Sequence, residues 1–387
     1  MGKTGITLIF ILLSGFIVAQ SNRDFNYYNG LTYSQYLAGN WKDLIETGKQ
    51  SLDAGFDSYY IRMRLGIAYY SQTKYRQAER QFRAALVYDT NSPATKEYLY
   101  YTNLFLGREQ EAFTYYDIRK DPVNPFFHSL YIEGGLKINP SELTYTGNVY
   151  YGMFAFRHQF SPRVRYFHAY QHLKRGLWDK GQGQGQQADQ LYYVNQNEYY
   201  GKFEILAGHN FWLMPAFHYQ TWSLPGSSDD NWLASIGIAK DLGLTRLYVE
   251  GNWSNINNSD QMQVNAGLVI YPLGNLNFYL DNVFIYQNDS AINQLGGRHL
   301  AGGRIGKTSW IQGWYAYGPM RYFNEHNGLV VFNSLNTINQ RMGLSFIQLL
   351  GKHEITFHFI RENKTEAVSN LDFIHNNFVL GLNFKLF

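Results

Sequence analysis

The chain has 387 residues, with 33 Lys and Arg against 30 Asp and Glu and no cysteine, which excludes a disulfide framework, a thiolate metal site, a cysteine nucleophile and a lipid anchor on an N-terminal cysteine. Aromatic residues make up 18% and charged residues 16%, which excludes a disordered, collagen-like or coiled-coil chain, and the small, mixed charge argues against nucleic-acid binding. Many aromatics, few charges and no long apolar run after the first twenty residues is the composition expected of a transmembrane β-barrel.

Lys3 opens a short positive start, and Ile6 to Val18 is an apolar run of 13 residues. That is shorter than the roughly 20 residues a membrane-crossing helix needs. With Ala19 as a small residue for cleavage, residues 1–19 read as a secretory signal peptide.

Residues 20–120 read as a helical domain. Leu65-Gly66, Tyr69, Ala78, Phe82 and Ala85 fall at helical spacing, small residues alternating with large ones. Gly39, Thr73 and Gly107 are 34 residues apart, and so are Leu44, Ala78 and Ala112, and Leu31, Leu65 and Leu99. The pattern resembles the tetratricopeptide repeat, in about three copies with degenerate outer ones. The resemblance implies a helical solenoid with a concave face that takes a protein or peptide partner. By the family pattern that face carries Tyr60, Met63, Ile67, Tyr70, Glu97 and Tyr101. For Met63 and Ile67 the competing reading is simple packing against neighbouring helices.

Residues 121–387 change to period two. Leu247, Val249 and Trp253 alternate with Arg246, Tyr248, Glu250 and Asn252; Met262, Val264 and Leu268 alternate with Gln261, Gln263 and Asn265. Met342, Leu344 and Phe346, and likewise Ile355, Phe357 and Phe359, repeat the pattern. A soluble sandwich turns such apolar faces inward, whereas a membrane barrel turns them to lipid. Strands of roughly 10 to 13 residues, tryptophans near strand ends and alternating short and long connections favour the barrel. Fourteen strands are expected, with 12 or 16 as alternatives, because Met320–Leu335 has room for another pair. The other long connections are read at Gly176–Asp189, Ser223–Asn231, Asn255–Ser259, Asn288–Asn293 and Asn363–His375. An even number places both ends of the barrel chain on the periplasmic side. The last strand, Phe378 to Phe387, resembles the signal read by the barrel-assembly machinery, although Phe387 falls out of phase with the apolar face.

With the apolar face toward lipid, the lumen collects Lys202, Glu204, Arg246, Glu250, Asp281, Arg304, Arg341 and Glu354. Mixed signs fit either a weakly selective passage or charges that neutralise one another and help to close the lumen. No catalytic set emerges. Gly181-Gln-Gly-Gln-Gly lacks the following Lys-Ser or Lys-Thr of a phosphate loop. His168 and His172 lie about 13 Å apart along a strand, too far to share a metal. The expectation is a protein that is not an enzyme and takes no cofactor or metal.

Helical repeats followed by a barrel resemble Gram-negative outer-membrane barrels with an N-terminal periplasmic tetratricopeptide module, an order shared by YaiO-like outer-membrane proteins and exopolysaccharide exporters. The chain departs from the large exporters in having about three repeats. The likeness implies an α + β multidomain protein, an α-solenoid preceding an antiparallel transmembrane barrel. It also implies transport or surface-polymer export across the outer membrane, contact with outer-membrane lipid, and a periplasmic partner docked by the repeats. The rival expectation is a non-conducting anchor whose repeats recruit that partner.

Overall fold

The computed structural model describes residues 24–115, 126–141, 144–179, 190–289, 292–333 and 336–386. The expected signal peptide, the glycine-rich segment after Lys180 and Phe387 lie outside these residues. The chain forms two compact units, one ending at Thr102 and the other starting at Asn103.

In the first unit, helices α1 (Phe25–Leu37), α2 (Trp41–Asp53), α3 (Tyr59–Ser71) and α4 (Tyr75–Tyr88) precede α5 (Pro93–Phe105). α1, α3 and α5 start 34 residues apart, as do α2, α4 and the short α6 (Glu109–Phe113) that belongs to the second unit. The side chains of Asp24, Ser58 and Ser92, on the same spacing, accept from the backbone N–H groups of Tyr27, Ile61 and Thr95. Each satisfies a donor that the first helical turn leaves free. At the turn between paired helices Gly39, Thr73 and Gly107 take the left-handed conformation, with φ of 68°, 57° and 70°. Leu44, Ile61, Leu65, Ala78, Phe82 and Leu99 are fully buried. Gly66 lets the helices close: a Cβ there would lie 2.4 Å from the Phe82 ring.

The second unit is a closed antiparallel barrel of 14 strands. Its wall is β1 (Phe127–Ile138), β2 (Thr146–Ser161), β3 (Val164–Asp179), β4 (Gln190–Gly208), β5 (Phe211–Leu224), β6 (Ser227–Leu242), β7 (Thr245–Ile256), β8 (Ser259–Ile270), β9 (Phe278–Asp289), β10 (Ile292–Arg304), β11 (Ser309–Met320), β14 (Thr337–Leu350), β15 (His353–Thr365) and β16 (Asp372–Lys385). β16 pairs with β1, Leu380 opposite Gly134, so no sheet edge is left open. The start of β1 and the end of β16 lie at one end of the barrel, called here the turn end; the opposite end is the loop end.

Period-two alternation sets which way each residue points. On β7, Leu247, Val249 and Trp253 are between 43% and 49% exposed on the outer face, while Glu250 and Asn252 are buried inside. Met342, Leu344 and Phe346 repeat this on β14. An outward apolar band around a polar interior is the arrangement for lipid outside and water inside. No helix among the described residues is long and apolar enough to cross a membrane.

Three connections differ from the expectation. Ser223–Asn231, Asn255–Ser259 and Asn288–Asn293 are not long loops; in the last, Asn288 pairs with Asn293 and Asp289 with Ile292. Trp222 pairs with Asp229 and Gln220 with Asn231, so the hairpin runs up to Gly226. Ile256 pairs with Ser259 across Asn257 and Asn258, both at positive φ, as a two-residue hairpin turn requires. The polar run Ser228 to Asn231 is compatible with strand structure because Ser228 and Asp230 are exposed, while the buried Asn231 donates to Gln220 Oε1 at 3.2 Å and accepts from Asn257 N at 2.7 Å. Strands are therefore longer than expected, up to 19 residues in β4. The segment after Met320 does hold a further pair, β12 (Asn324–Glu325) with β13 (Val330–Val331), but as a separate hairpin outside the wall.

Candidate functional site: the barrel lumen

That hairpin folds into the barrel. Its backbone is held by inward side chains from many strands. Tyr200 Oη and Ser235 Oγ both donate to Asn327 O at 3.1 Å, and His218 Nδ1 lies 2.6 Å from Gly328 O. Gln263 Nε2 donates to Asn324 O at 2.8 Å while its Oε1 accepts from Asn324 N at 2.9 Å. Gln287 Nε2 donates to Arg321 O at 2.9 Å, and Arg341 pairs with Glu325 at 2.7 Å. Phe323, fully buried, stacks on Phe332 with ring centroids 4.3 Å apart. Hydrogen bonding of a loop backbone by wall side chains satisfies groups that would otherwise be buried unpaired. His326, Asn327 and Gly328 all have positive φ, which makes the hairpin tip tight; a Cβ at Gly328 would lie 2.4 Å from Leu233.

The hairpin leaves two cavities, of about 590 Å³ and about 480 Å³. Glu325 and His326 at its tip line both. Tyr131, Lys137, Arg175, Arg341, Glu362 and Lys364 line the larger. The smaller has Lys202, Arg246, Tyr248, Glu250, Asp281 and Arg298. Arg298 pairs with Asp281 at 3.0 Å, and Tyr248 Oη donates to the same carboxylate at 3.0 Å. Glu250 accepts from Asn265 Nδ2 at 3.1 Å.

Of the expected lumen residues, Lys202, Arg246, Glu250 and Asp281 come together around the smaller cavity, and Arg341 faces the larger one. Glu204 pairs with Lys202 at 2.9 Å, and Glu354 is half-buried; neither lines either of these two cavities. Arg304, at the end of β10, continues the face of Arg298 and Leu300 but lines neither cavity: it is exposed, donates through Nε to Gly306 O at 2.7 Å and lies over the Trp310 ring, so it braces the β10–β11 turn. Sequence reasoning missed Lys137, Arg175, Glu198, Arg298, Glu325, Glu362, Lys364 and His375. Several are within reach of the alternation rule: Glu362 and Lys364 continue the inward face of Thr356 and His358, Glu362 just before the expected connection at Asn363–His375 and Lys364 inside it, where β15 runs on to Thr365.

At the turn end α6 lies against the barrel. Glu109 bonds His128 Nε2 of β1 at 2.9 Å, Arg165 Nη2 of β3 at 3.1 Å and Lys385 Nζ of β16. Arg108 pairs with Asp241 at 3.0 Å, and Gln110 Nε2 donates to Glu204 O at 2.9 Å. Burial alone would push the Glu109 carboxyl up; the His128 hydrogen bond and the charges of Lys385 and Arg165 outweigh it and hold it well below the usual carboxylate range.

In the helical unit, Tyr60, Glu97 and Tyr101 are exposed, and Ile67 and Tyr70 are half-buried. Tyr70 packs edge-on against Tyr75 and Tyr98, at 5.4 and 5.5 Å. Met63 is a correction: it is buried, its sulfur accepting from Thr95 Oγ1 at 3.2 Å, so it packs between helices and offers no groove surface.

No family model and no curated protein matches the chain. Among solved structures, a deletion mutant of the monoaromatic hydrocarbon channel TodX is 9% identical with a TM-score of 0.48, covering 67% of this chain and 90% of that one. The translocator domain of the autotransporter NalP from Neisseria meningitidis is 8% identical with a TM-score of 0.34, covering 74% of this chain and 96% of that one. A mutant of MamA is 18% identical with a TM-score of 0.24, covering 29% of this chain and 82% of that one.

Proposed function

We propose that this protein is an outer-membrane barrel of a Gram-negative bacterium that moves a small solute or a surface polymer across that membrane. The observation that carries this reading is the polar lumen. Fourteen strands enclose more space than side chains fill, and cavities of about 590 and 480 Å³ remain on either side of the inward hairpin. The outward apolar band suits a bilayer, and closed barrels of this kind belong to outer membranes. The helical repeats then sit on the periplasmic side, where exposed Tyr60, Glu97 and Tyr101 offer a surface to a protein partner. The barrel-assembly machinery reads the last strand during insertion. Purified protein should migrate faster on SDS gels unheated than boiled, and should give discrete current steps in a planar bilayer. A folded, heat-modifiable protein that gives no steps at any voltage tried would overturn the transport reading.

That outcome would favour the second reading, a non-conducting anchor whose repeats recruit a periplasmic protein. The inward hairpin and the α6 contacts at the turn end favour it, since each narrows the lumen.

A further inference from the structure

One wall of the larger cavity gathers positive charge, and the strand register explains how. β16 lies between β1 and β15, with Asn377 opposite Lys137 and His375 opposite Glu362. Arg341 on β14 stands opposite Glu362 on its other side. Lys364 follows Glu362 by two residues and so shares its inward face. Val149 of β2 is paired with both Lys137 and Arg175, which brings Arg175 of β3 to the same wall. All these cationic side chains line the cavity.

The countercharge is thin. Glu362 is bonded to Lys137 at 3.0 Å, Lys364 at 2.8 Å and Arg341 at 3.2 Å, so one carboxylate serves three cations. Arg175 donates to the neutral Asn333 amide oxygen at 3.2 Å. The Glu198 carboxylate across the lumen is bonded to His218. Among the described residues the whole cavity lining has six Lys and Arg against four Glu. Beside the cations, His375 is 2% exposed, and neither of its ring nitrogens has a partner among the described residues; the same holds for Asn377 Oδ1. Buried polar groups of this kind are normally bonded, so a wall that leaves them open is built to meet something. The cavity volume falls in the range of small-molecule sites.

We propose that this wall binds a small, multiply charged anion through carboxylate or phosphate oxygens, with Lys137, Arg175, Lys364 and His375 as its donors. The proposal rests on the transport reading and names its substrate class. The sign of the charge excludes a cation as the favoured occupant. A neutral sugar would leave the cations short of countercharge, whereas an anion supplies it and accepts from His375.

The test is calorimetric titration of the full chain in detergent micelles at low ionic strength. Pyrophosphate and citrate are the probes; sucrose and spermidine are the controls. At least one anion should bind and neither control should. Pyrophosphate alone assigns a phosphate ligand, citrate alone a carboxylate ligand. Replacing Lys137→Gln and Lys364→Gln together should weaken binding at least tenfold, while Arg304→Gln, outside both cavities, should leave it unchanged. Glu362→Gln removes the competing carboxylate and should tighten binding, a change of sign that loss of structure does not produce. Heat-modifiable migration confirms that each variant is folded, and if the lysine variant is not, Glu362→Gln decides. Absence of binding by both anions, or weaker binding by a folded Glu362→Gln variant, overturns the site. Binding without current steps would uphold the site and remove the transport reading; steps without binding would do the reverse.

Discussion

Glu109 holds α6 to β1 and β16, which close the barrel, and to β3, which β2 separates from β1. Glu109→Gln keeps the size and removes the charge that all three partners face. The cost to docking should be about 1–2 kcal/mol, reduced from that of a fully buried pair because the side chain is 19% exposed. Amide hydrogen exchange over Glu109–Phe113 should then speed up roughly tenfold; unchanged exchange would show that the neighbouring Arg108 and Gln110 contacts suffice. The pH dependence has a definite sign. A folded carboxyl held below its ordinary value stabilises fully above about pH 4.3, and that stabilisation disappears only as the pH falls through the lower folded value. Docking of α6 should therefore persist from neutral pH to about pH 4, after correction for intrinsic exchange rates. A second pair of residues tests the facing of β7. Val249 points outward and Glu250 inward, so Val249→Lys places a charge against lipid at a cost of roughly 2–4 kcal/mol, and Glu250→Lys does not. Refolding into bilayers should fail or slow for the first and proceed for the second; equal tolerance would argue against a bilayer around this strand.

At the scale of elements, the helical repeats are set by a few backbone positions. Thr73 occupies a left-handed turn site where the equivalent repeats have Gly39 and Gly107. A β-branched residue there is strained, so Thr73→Gly should stabilise the helical unit by about 1 kcal/mol. Gly66→Ala should do the opposite. The gain in helix propensity is about 1 kcal/mol, but the new Cβ would meet the fully buried Phe82 ring at 2.4 Å, and overpacking costs typically 1–3 kcal/mol. Thermal melts followed by circular dichroism check both; a more stable Gly66→Ala variant would mean that Phe82 can move aside. These positions were legible because a fixed period repeats the same local demand three times. The wall was legible for a related reason. Apolar residues must face lipid on every strand, so alternation recovers strand number and facing even where hairpin ends are misplaced. The inward hairpin was not legible as such. The stretch Leu329 to Phe332 is apolar enough for a strand, yet the hairpin that contains it is held through Leu329, Asn327, Gly328 and Asn324 by Gln171, Tyr200, His218 and Gln263, residues from 60 to 160 positions away that no local pattern connects. The cation wall was missed because it assembles across the seam, from β1 and β3 on one side and β14 and β15 on the other.

For the whole molecule the inward hairpin decides between a passage and an anchor. It is held by hydrogen bonds to Gln, Ser, Tyr and His side chains that water could equally serve, and by Phe323 and Leu329 packed against inward wall residues, while the strand ladder closes without it. The closing pairs β1–β16 and β11–β14 bypass it, β11 meeting β14 directly with Ala316 opposite Arg341. Removing Tyr322–Phe332 should thus leave a barrel that still folds and migrates heat-modifiably. The main electrostatic loss is the Glu325 partner of Arg341, which retains Glu362 at 3.2 Å. With the hairpin gone, the cavities of about 590 and 480 Å³, both lined by its tip, become one space. If the hairpin is the constriction of a passage, the deletion variant should show single-channel steps several times larger than the full chain, under the same voltage and salt. If α6 closes the turn end instead, the deletion alone should change nothing, and only the combination with Glu109→Gln should open the lumen. A folded double variant that still carries no current would leave the barrel as an anchor, with function residing in the repeats.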